Sequence, residues 1–495
     1  MKDKVLKFFK EICDMPHGSG NCTLAGDYLM RFAEERGLEA IRDRKGNVLI
    51  KAPAVKRENE HGSTVILQGH QDMVCVKEDN CTIDMARDPL ELIIENGMIS
   101  AKGTSLGADD GIGEAMALAV LDDKVHSRPA IEAIFTVDEE TGMSGAAEFD
   151  TSILKGKKLI NLDSEEEGVV TCSCAGGERL DVCIPLSKER PGLSSPIRTS
   201  GKKTQEQQKI ASVKIEVSGL VGGHSGCDIH KGRLSALRVI TDILGKVKGI
   251  SYAIADFCGG KFDNVICSDA YAVLVTEKNI SDKLVEELKK IADRERIIYQ
   301  KTEKLISIDI ISSEKEYTAK DMLLGAEETK EFLSAMSVIP QGVTLMMKEC
   351  QGAVDTSMNL GTVRIDGNYL KMTFSLRSSN DERRKELENK VTDALERIKG
   401  CTWNVRDPYP AWQFVSVSPL RDVLCKAYKE LFGQEMVTAV THGGLECGYF
   451  ASKIEGCEII SIGPQIDDIH SVKEKIAIDS IDRTMKLLTR TLELL

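Results

Sequence analysis

Ala133-Ile134-Phe135-Thr136-Val137-Asp138-Glu139-Glu140-Thr141-Gly142 is an apolar run that ends in two adjacent glutamates and a glycine. Three other segments repeat the design, a hydrophobic strand leading to a residue type that binds metal. Val65-Ile66-Leu67 leads to His70 and Asp72, Leu159-Ile160-Asn161-Leu162 to Asp163, and Ile459-Ile460-Ser461-Ile462 towards His470. A fifth, Gly107-Ala108-Asp109-Asp110-Gly111, sets two aspartates just before a helical pattern. A single Glu-Glu pair says little. Five such termini predict strand ends converging on a hard or borderline cation, as sites form at the carboxyl ends of strands in open α/β sheets.

Outward from these segments, the first 170 or so residues alternate strand and helix patterns, as a doubly wound sheet does. Ile112, Met116 and Val120 fall at helical spacing after Gly111. That puts Asp109 and Asp110 at a helix N-terminus, where the dipole tolerates negative charge. The polar stretch Ser187 to Lys209 lacks periodicity and reads as a mobile loop or insertion. Beyond it, Val213-Lys214-Ile215-Glu216-Val217 predicts a strand, and Leu234, Leu237, Ile240 and Leu244 predict a helix from about Gly232. Strand and helix patterns then continue to Ile398. The expected organisation is a doubly wound α/β catalytic domain, residues 1–176 and 399–495, interrupted by an inserted α+β lid domain, residues 177–398.

At 495 residues the chain exceeds the usual single-core limit. Its 42% hydrophobic and 29% charged content is that of a globular protein. With 65 basic against 78 acidic residues the net charge is −13, which argues against nucleic acid as a partner. The N-terminal Val5-Leu6-Lys7-Phe8-Phe9-Lys10-Glu11-Ile12 is an amphipathic helix, too charged for a signal-peptide core. No run reaches the roughly 18 apolar residues of a membrane span. Fifteen scattered cysteines, of which only Cys172 and Cys174 are close, read as reduced thiols of a cytoplasmic protein.

Zinc accepts histidine nitrogen and carboxylate oxygen, and the chain has eight histidines in differing contexts. His70 follows an apolar strand, and Asp72 shares its face in extended chain, placed to accept a hydrogen bond from the ring nitrogen turned away from metal. His470, in Asp467-Asp468-Ile469-His470-Ser471, is a loop histidine raised by the need for a second imidazole. His17 and His442 sit in glycine-rich loops that could line a cleft. His61 and His126 have polar, solvated contexts, and His224 and His230 belong to the inserted domain.

Together the segments form a pattern. The chain resembles the di-zinc aminoacylase/carboxypeptidase superfamily of metallopeptidases, and within it the aminoacyl-histidine dipeptidases. The resemblance runs from Pro16-His17-Gly18-Ser19-Gly20-Asn21 through Gly69-His70-Gln71-Asp72 and Gly103 to Gly113. It continues in Asp138-Glu139-Glu140-Thr141-Gly142, Asn161-Leu162-Asp163-Ser164-Glu165 and Gly222-Gly223-His224-Ser225-Gly226, and ends in His442-Gly443-Gly444-Leu445-Glu446-Cys447-Gly448 and His470-Ser471. Asp110 departs from it, since such dipeptidases often carry asparagine there.

The resemblance implies that His70 and Asp163 hold one zinc, Glu140 and His470 the other, and that Asp109 bridges both. Mn²⁺ or Co²⁺ suits the same donors. It further implies that Asp72 orients His70, that Glu139 is the general base, and that a cis peptide follows Asp109. His224 would come from the lid to bind the oxyanion as the domain closes. Arg377, after Phe374-Ser375-Leu376, is the candidate to grip a peptide's terminal carboxylate, with Asn264 and His442 as further substrate contacts. A small peptide is the expected partner, with no nucleic acid and no membrane; a homodimer is compatible. The competing readings are another amidohydrolase of this fold, a deacylase or tripeptidase, and a non-catalytic binding protein.

Overall fold

The computed structural model describes residues 1–56, 64–187, 210–313 and 321–495. His61 lies outside them, as does all of the polar 187–209 stretch except Ser187. Two compact units emerge, one of Met1–Cys174 with Pro410–Leu495, the other of Ala175–Tyr409.

The first unit is built on a mixed sheet. Its strand order is Glu39–Arg42, Val48–Ala52, Ile131–Thr136, Val65–His70, Lys158–Asn161, Glu458–Ser461, Val169–Cys174 and Val437–Thr441. The strands Ile131–Thr136, Val65–His70, Lys158–Asn161 and Glu458–Ser461 run parallel to one another. Every residue of Val65–His70 and Ile131–Thr136 is buried, as in parallel strands covered on both faces. Val65 and Leu67 join the core with Phe9, Ile12 and Met116; Ile66 faces the opposite layer with Phe149 and Phe450. Helix Ala108–Leu121 is buried along its whole length, and Lys2–Cys13 packs its Val5, Phe8, Phe9 and Ile12 face inward.

A second, antiparallel sheet joins Leu92–Glu95, Met98–Ala101, Lys475–Ala477 and Ile466–Asp467. His470 lies in the loop between its last two strands. A hairpin therefore presents this loop histidine, at a remove from the end of Glu458–Ser461.

The second unit has an antiparallel sheet, ordered Ser307–Ser313, Ile210–Ser218, Ala270–Glu277, Ala253–Gly259, Val354–Asp366, Tyr369–Ser378, Gly176–Pro185 and Thr402–Tyr409. Helices Ala236–Lys246, Ser281–Tyr299, Ala326–Val338 and Asp381–Leu395 share one apolar core with it. Val213, Ile215 and Val217 are buried in alternation with Lys214 and Glu216, the period-2 pattern of a sheet covered on one face.

Two sequence expectations need correcting. The helix placed from Gly232 begins at Ala236, because Ile229–Lys231 is a short 3₁₀ turn and Gly232, at φ +64°, ends it in the left-handed region. The second domain boundary, placed at 398, falls after Tyr409. Strand Thr402–Tyr409 pairs with Gly176–Pro185, Trp403 opposite Val182 and Val405 opposite Leu180. Its charged, proline-bearing sequence and mostly exposed edge hid it from a search for apolar alternation. Among the described residues no helix is long and apolar enough to cross a membrane.

Candidate metal centre

The parallel strands Val65–His70, Ile131–Thr136 and Lys158–Asn161 end side by side, and at or just beyond their ends lie His70, Glu140 and Asp163. His70 is the last residue of its strand, 1% exposed. Its backbone N–H donates to Asp110 Oδ2 at 3.1 Å. Glycines make room for that carboxylate: a Cβ on Gly69 or Gly113 would come within 2.3 or 2.2 Å of an Asp110 oxygen. Asp109 and Asp110, joined by a cis peptide bond, have non-helical dihedrals at the start of helix Ala108–Leu121.

The Asp109 carboxylate lies between the two histidines. Its Oδ1 is 3.3 Å from His70 Nε2, and its Oδ2 is 3.1 Å from His470 Nε2. Asp163 Oδ1 adds to the His70 side at 3.6 Å, and Glu140 Oε1 to the His470 side at 2.8 Å. Donors bound tetrahedrally to zinc at about 2.0–2.1 Å are roughly 3.3 Å from one another. The two groups, each one imidazole and two carboxylates, thus have the spacing and chemistry of two cation sites sharing Asp109. Glu165 stands close by: it, Asp109 and Asp163 each offer an oxygen within 4.8 Å of the others.

Asp72 holds the centre together differently from the sequence expectation. His70 Nδ1 is 2.9 Å from the backbone carbonyl of Asp72 and 3.5 Å from its carboxylate, so the main chain is the nearer acceptor for the ring proton. The carboxylate instead accepts the backbone N–H groups of Glu139 at 3.0 Å and Glu140 at 3.3 Å, and the Ser19 hydroxyl at 2.8 Å. It fixes the turn that bears both glutamates. Glu140 then meets His470, whereas the Glu139 carboxylate takes part in neither histidine's ion pairs among the described residues.

The charges are strongly coupled. Burial opposes ionisation of Asp109, yet hydrogen bonds with His470 and His70 hold it well below the usual carboxylate range. His470 is pushed up to about 11 by its contacts with Asp109 and Glu140. Desolvation, then the charges of Asp163, Glu140 and Glu446, drives Glu139 well above the ordinary range. Desolvation also lifts Asp163, with Asp109 and Asp110 adding to it. So many buried carboxylates around two imidazoles call for compensating positive charge.

In the second unit, strand pair Gly223–His224 and Val265–Ile266 sets His224 opposite Val265, beside Asn264, whose carbonyl accepts from Ser225 N–H at 2.8 Å. His224 Nδ1 accepts the backbone N–H groups of Gly226 at 3.2 Å and Cys227 at 3.1 Å, so in the neutral ring the proton sits on Nε2. Arg377 is 5% exposed and donates to the Tyr409 hydroxyl at 2.9 Å, which makes it no ordinary surface cation. In the first unit, His442 is buried just after strand Val437–Thr441, and His17 is buried with Nδ1 2.7 Å from the Met15 carbonyl. His126 is half-exposed and paired with Asp123 rather than simply solvated.

The family model for peptidase family M20/M25/M40 matches residues 66–494. The chain belongs to this family. It is 32% identical over 489 residues to the cytosol non-specific dipeptidase of Escherichia coli, covering 98% of this chain and 96% of that one. The crystal structure of the aminoacylhistidine dipeptidase of Vibrio alginolyticus superposes with a TM-score of 0.88 at 31% identity, covering 99% and 96% of the two chains. The aminopeptidase PepT of Bacillus cereus shares the fold at TM-score 0.56 and 16% identity, covering 100% and 98%. This M20/M25/M40 chain is thus a hydrolase of peptide bonds, with full-length relatives that are dipeptidases.

Two buried acids were overlooked in the sequence. Glu446, fully buried, binds Gln68 Nε2 at 2.6 Å and Thr136 Oγ1 at 2.5 Å, and Gln68 in turn accepts from Asn161 at 2.6 Å. It ties together three strands just before they deliver His70, Glu139 and Asp163. Only its place in the glycine-rich Gly443-Gly444-Leu445-Glu446 run marked it. Glu474, four residues after His470, is the other.

Proposed function

We propose that the protein is a cytoplasmic two-metal dipeptidase, acting on dipeptides that include the aminoacyl-histidine type, with zinc as the resident ion. The observation that carries this is the Asp109 carboxylate, one oxygen turned to each histidine-bearing donor group. His70, Asp163 and Asp109 would hold one ion, and His470, Glu140 and Asp109 the other. When bound, such a pair supplies Lewis acidity at the scissile carbonyl and an acidified water. The names of the two full-length relatives support the substrate class, and that of the Escherichia coli protein supports the compartment.

The chain's own residues then divide the work. Glu139 takes a proton from the attacking water and delivers it to the leaving amine. Asp72, through the backbone N–H groups of Glu139 and Glu140, keeps base and ligand in register. His224 donates from Nε2 to the developing oxyanion, the tautomer its Nδ1 contacts select. Arg377 reads the free carboxylate of the substrate, with Asn264 and His442 as flanking contacts.

The test is a pair of substrates differing only at the C-terminus. Free-acid dipeptides, among them those ending in histidine, should be cut well and their C-terminal amides poorly. Arg377→Ala should narrow that preference by about tenfold or more in kcat/KM, because it removes the group that reads the charge. His224→Ala should lower kcat for acid and amide alike. Equal turnover of acid and amide by the unmodified enzyme would defeat the carboxylate clamp and favour a general amidohydrolase.

A further inference from the structure

Glu474 is 2% exposed and makes four backbone contacts with a segment more than 360 residues away in sequence. Its Oε2 accepts the N–H groups of Leu106 at 2.8 Å and Gly107 at 3.0 Å; its Oε1 accepts those of Ala108 at 2.8 Å and Asp109 at 3.3 Å. These N–H groups belong to the first turn before the regular part of helix Ala108–Leu121, where a helix has no internal acceptors for them. Gly107, at φ +67°, turns the run so that all four point at one carboxylate. With both oxygens engaged in this way, Glu474 is not itself a metal donor despite its closeness to Asp109.

The other end of the same loop carries His470. Strand Lys475–Ala477 fixes the base of the loop through pairing with Met98–Ala101 and Ile466–Asp467, and Ile476 is fully buried. Within the loop Glu474 N–H donates to Ser471 O at 3.2 Å, and Ser471 Oγ to Asp468 O at 2.7 Å. The loop therefore closes on Asp109 twice, with His470 on its carboxylate and Glu474 on its backbone.

We propose that Glu474 is a positioning residue that locks the Asp109 segment and the His470 loop into one rigid piece, and so sets the affinity of the whole centre for its ion pair. The inference rests on the reading of Asp109 and His470 as metal donors. A glutamine here keeps the shape but offers one acceptor oxygen, and its NH₂ group faces backbone donors. The bridging carboxylate and the His470 ring then lose their shared anchor, so both ions are held less tightly. Supporting groups around metal ligands are typically worth about 10–100-fold in metal affinity.

The comparison variant is Glu132→Gln. Glu132 is as buried, at 2%, and also caps backbone N–H groups, those of Lys155 and Gly156, away from the donors. Full-length protein stripped with a chelator is titrated with Co²⁺ alone, following visible absorption and bound metal. Wild type should take up two ions. Glu474→Gln should bind both about tenfold or more weakly, with an altered Co²⁺ spectrum, and recover kcat at saturating Co²⁺ with KM unchanged. Glu132→Gln should lower thermal stability of the metal-free protein and leave the Co²⁺ titration in place. If Glu474→Gln does not fold, Glu474→Asp, which keeps the charge on a shorter arm, should show the same weakening. Wild-type Co²⁺ affinity in the folded Glu474 variant, or equal weakening in Glu132→Gln, overturns the proposal. Wild-type protein that binds fewer than two ions overturns the metal-site reading, and this inference with it.

Discussion

Replacing Glu139 by glutamine should leave the metal content and KM near those of the wild type while kcat falls at least ~10²-fold. A loss of that size is about 2.7 kcal/mol in the barrier. The expectation follows from how the turn is built. Asp72 holds the backbone N–H groups of Glu139 and Glu140 on its two oxygens, so an amide side chain at 139 leaves the turn and its neighbour in place. Glu140 keeps its contact with His470, and the donor set is unchanged. What disappears is a carboxylate able to accept a proton. Burial and the charges of Asp163, Glu140 and Glu446 favour its protonated form, in which it is no base. Cations held among those same carboxylates would offset this and favour the ionised form that a base needs. Glu140→Gln should behave differently, losing bound metal together with activity. Kinetics and elemental analysis on the two variants separate the roles. Turnover retained in Glu139→Gln would move the base elsewhere.

Most of the side chains clustered here could be picked out in the sequence because they follow buried parallel strands, whose apolar runs are sharply ended. His70, Glu139, Glu140 and Asp163 all announce themselves that way. Asp109 was legible through the change of period after Gly111. His470 was harder, since a short hairpin of a separate sheet presents it, at a remove from the apolar strand that leads towards it. The anchors were harder still. Glu474 and Glu446 act through backbone amides and buried amide or hydroxyl groups of distant segments, contacts that leave no spacing pattern in either partner. Asp72 shows a middle case. Its face-sharing with His70 is a local property of extended chain, but its grip on the Glu139–Glu140 turn is tertiary. The missed strand Thr402–Tyr409 fails for another reason: an edge strand needs few apolar residues, so alternation cannot reveal it.

Asp109→Ala should cost the protein both ions, whereas His70→Ala and His470→Ala should each weaken one more than the other. The difference follows from the two oxygens. Oδ1 belongs with His70 and Asp163, and Oδ2 with His470 and Glu140, so each histidine serves one group and Asp109 serves both. The substitution is also clean. The Glu474 carboxylate accepts the backbone N–H groups of Asp109 and of Ala108 before it, so alanine removes the Asp109 carboxylate without releasing the segment. Removal leaves the two imidazoles facing Asp163 and Glu140 without the charge between them. Each remaining group then has one imidazole and one carboxylate, too few protein donors for the three-ligand set of a catalytic zinc. Elemental analysis after dialysis against a fixed low concentration of free metal should find two ions in wild type, between one and two in each histidine variant, and fewest in Asp109→Ala, whose peptidase activity should fall to background. Asp109→Ala that retains two ions would rule out a shared bridge and leave the two donor groups as independent sites, and wild type that takes up only one ion at saturating metal would rule out the two-metal centre.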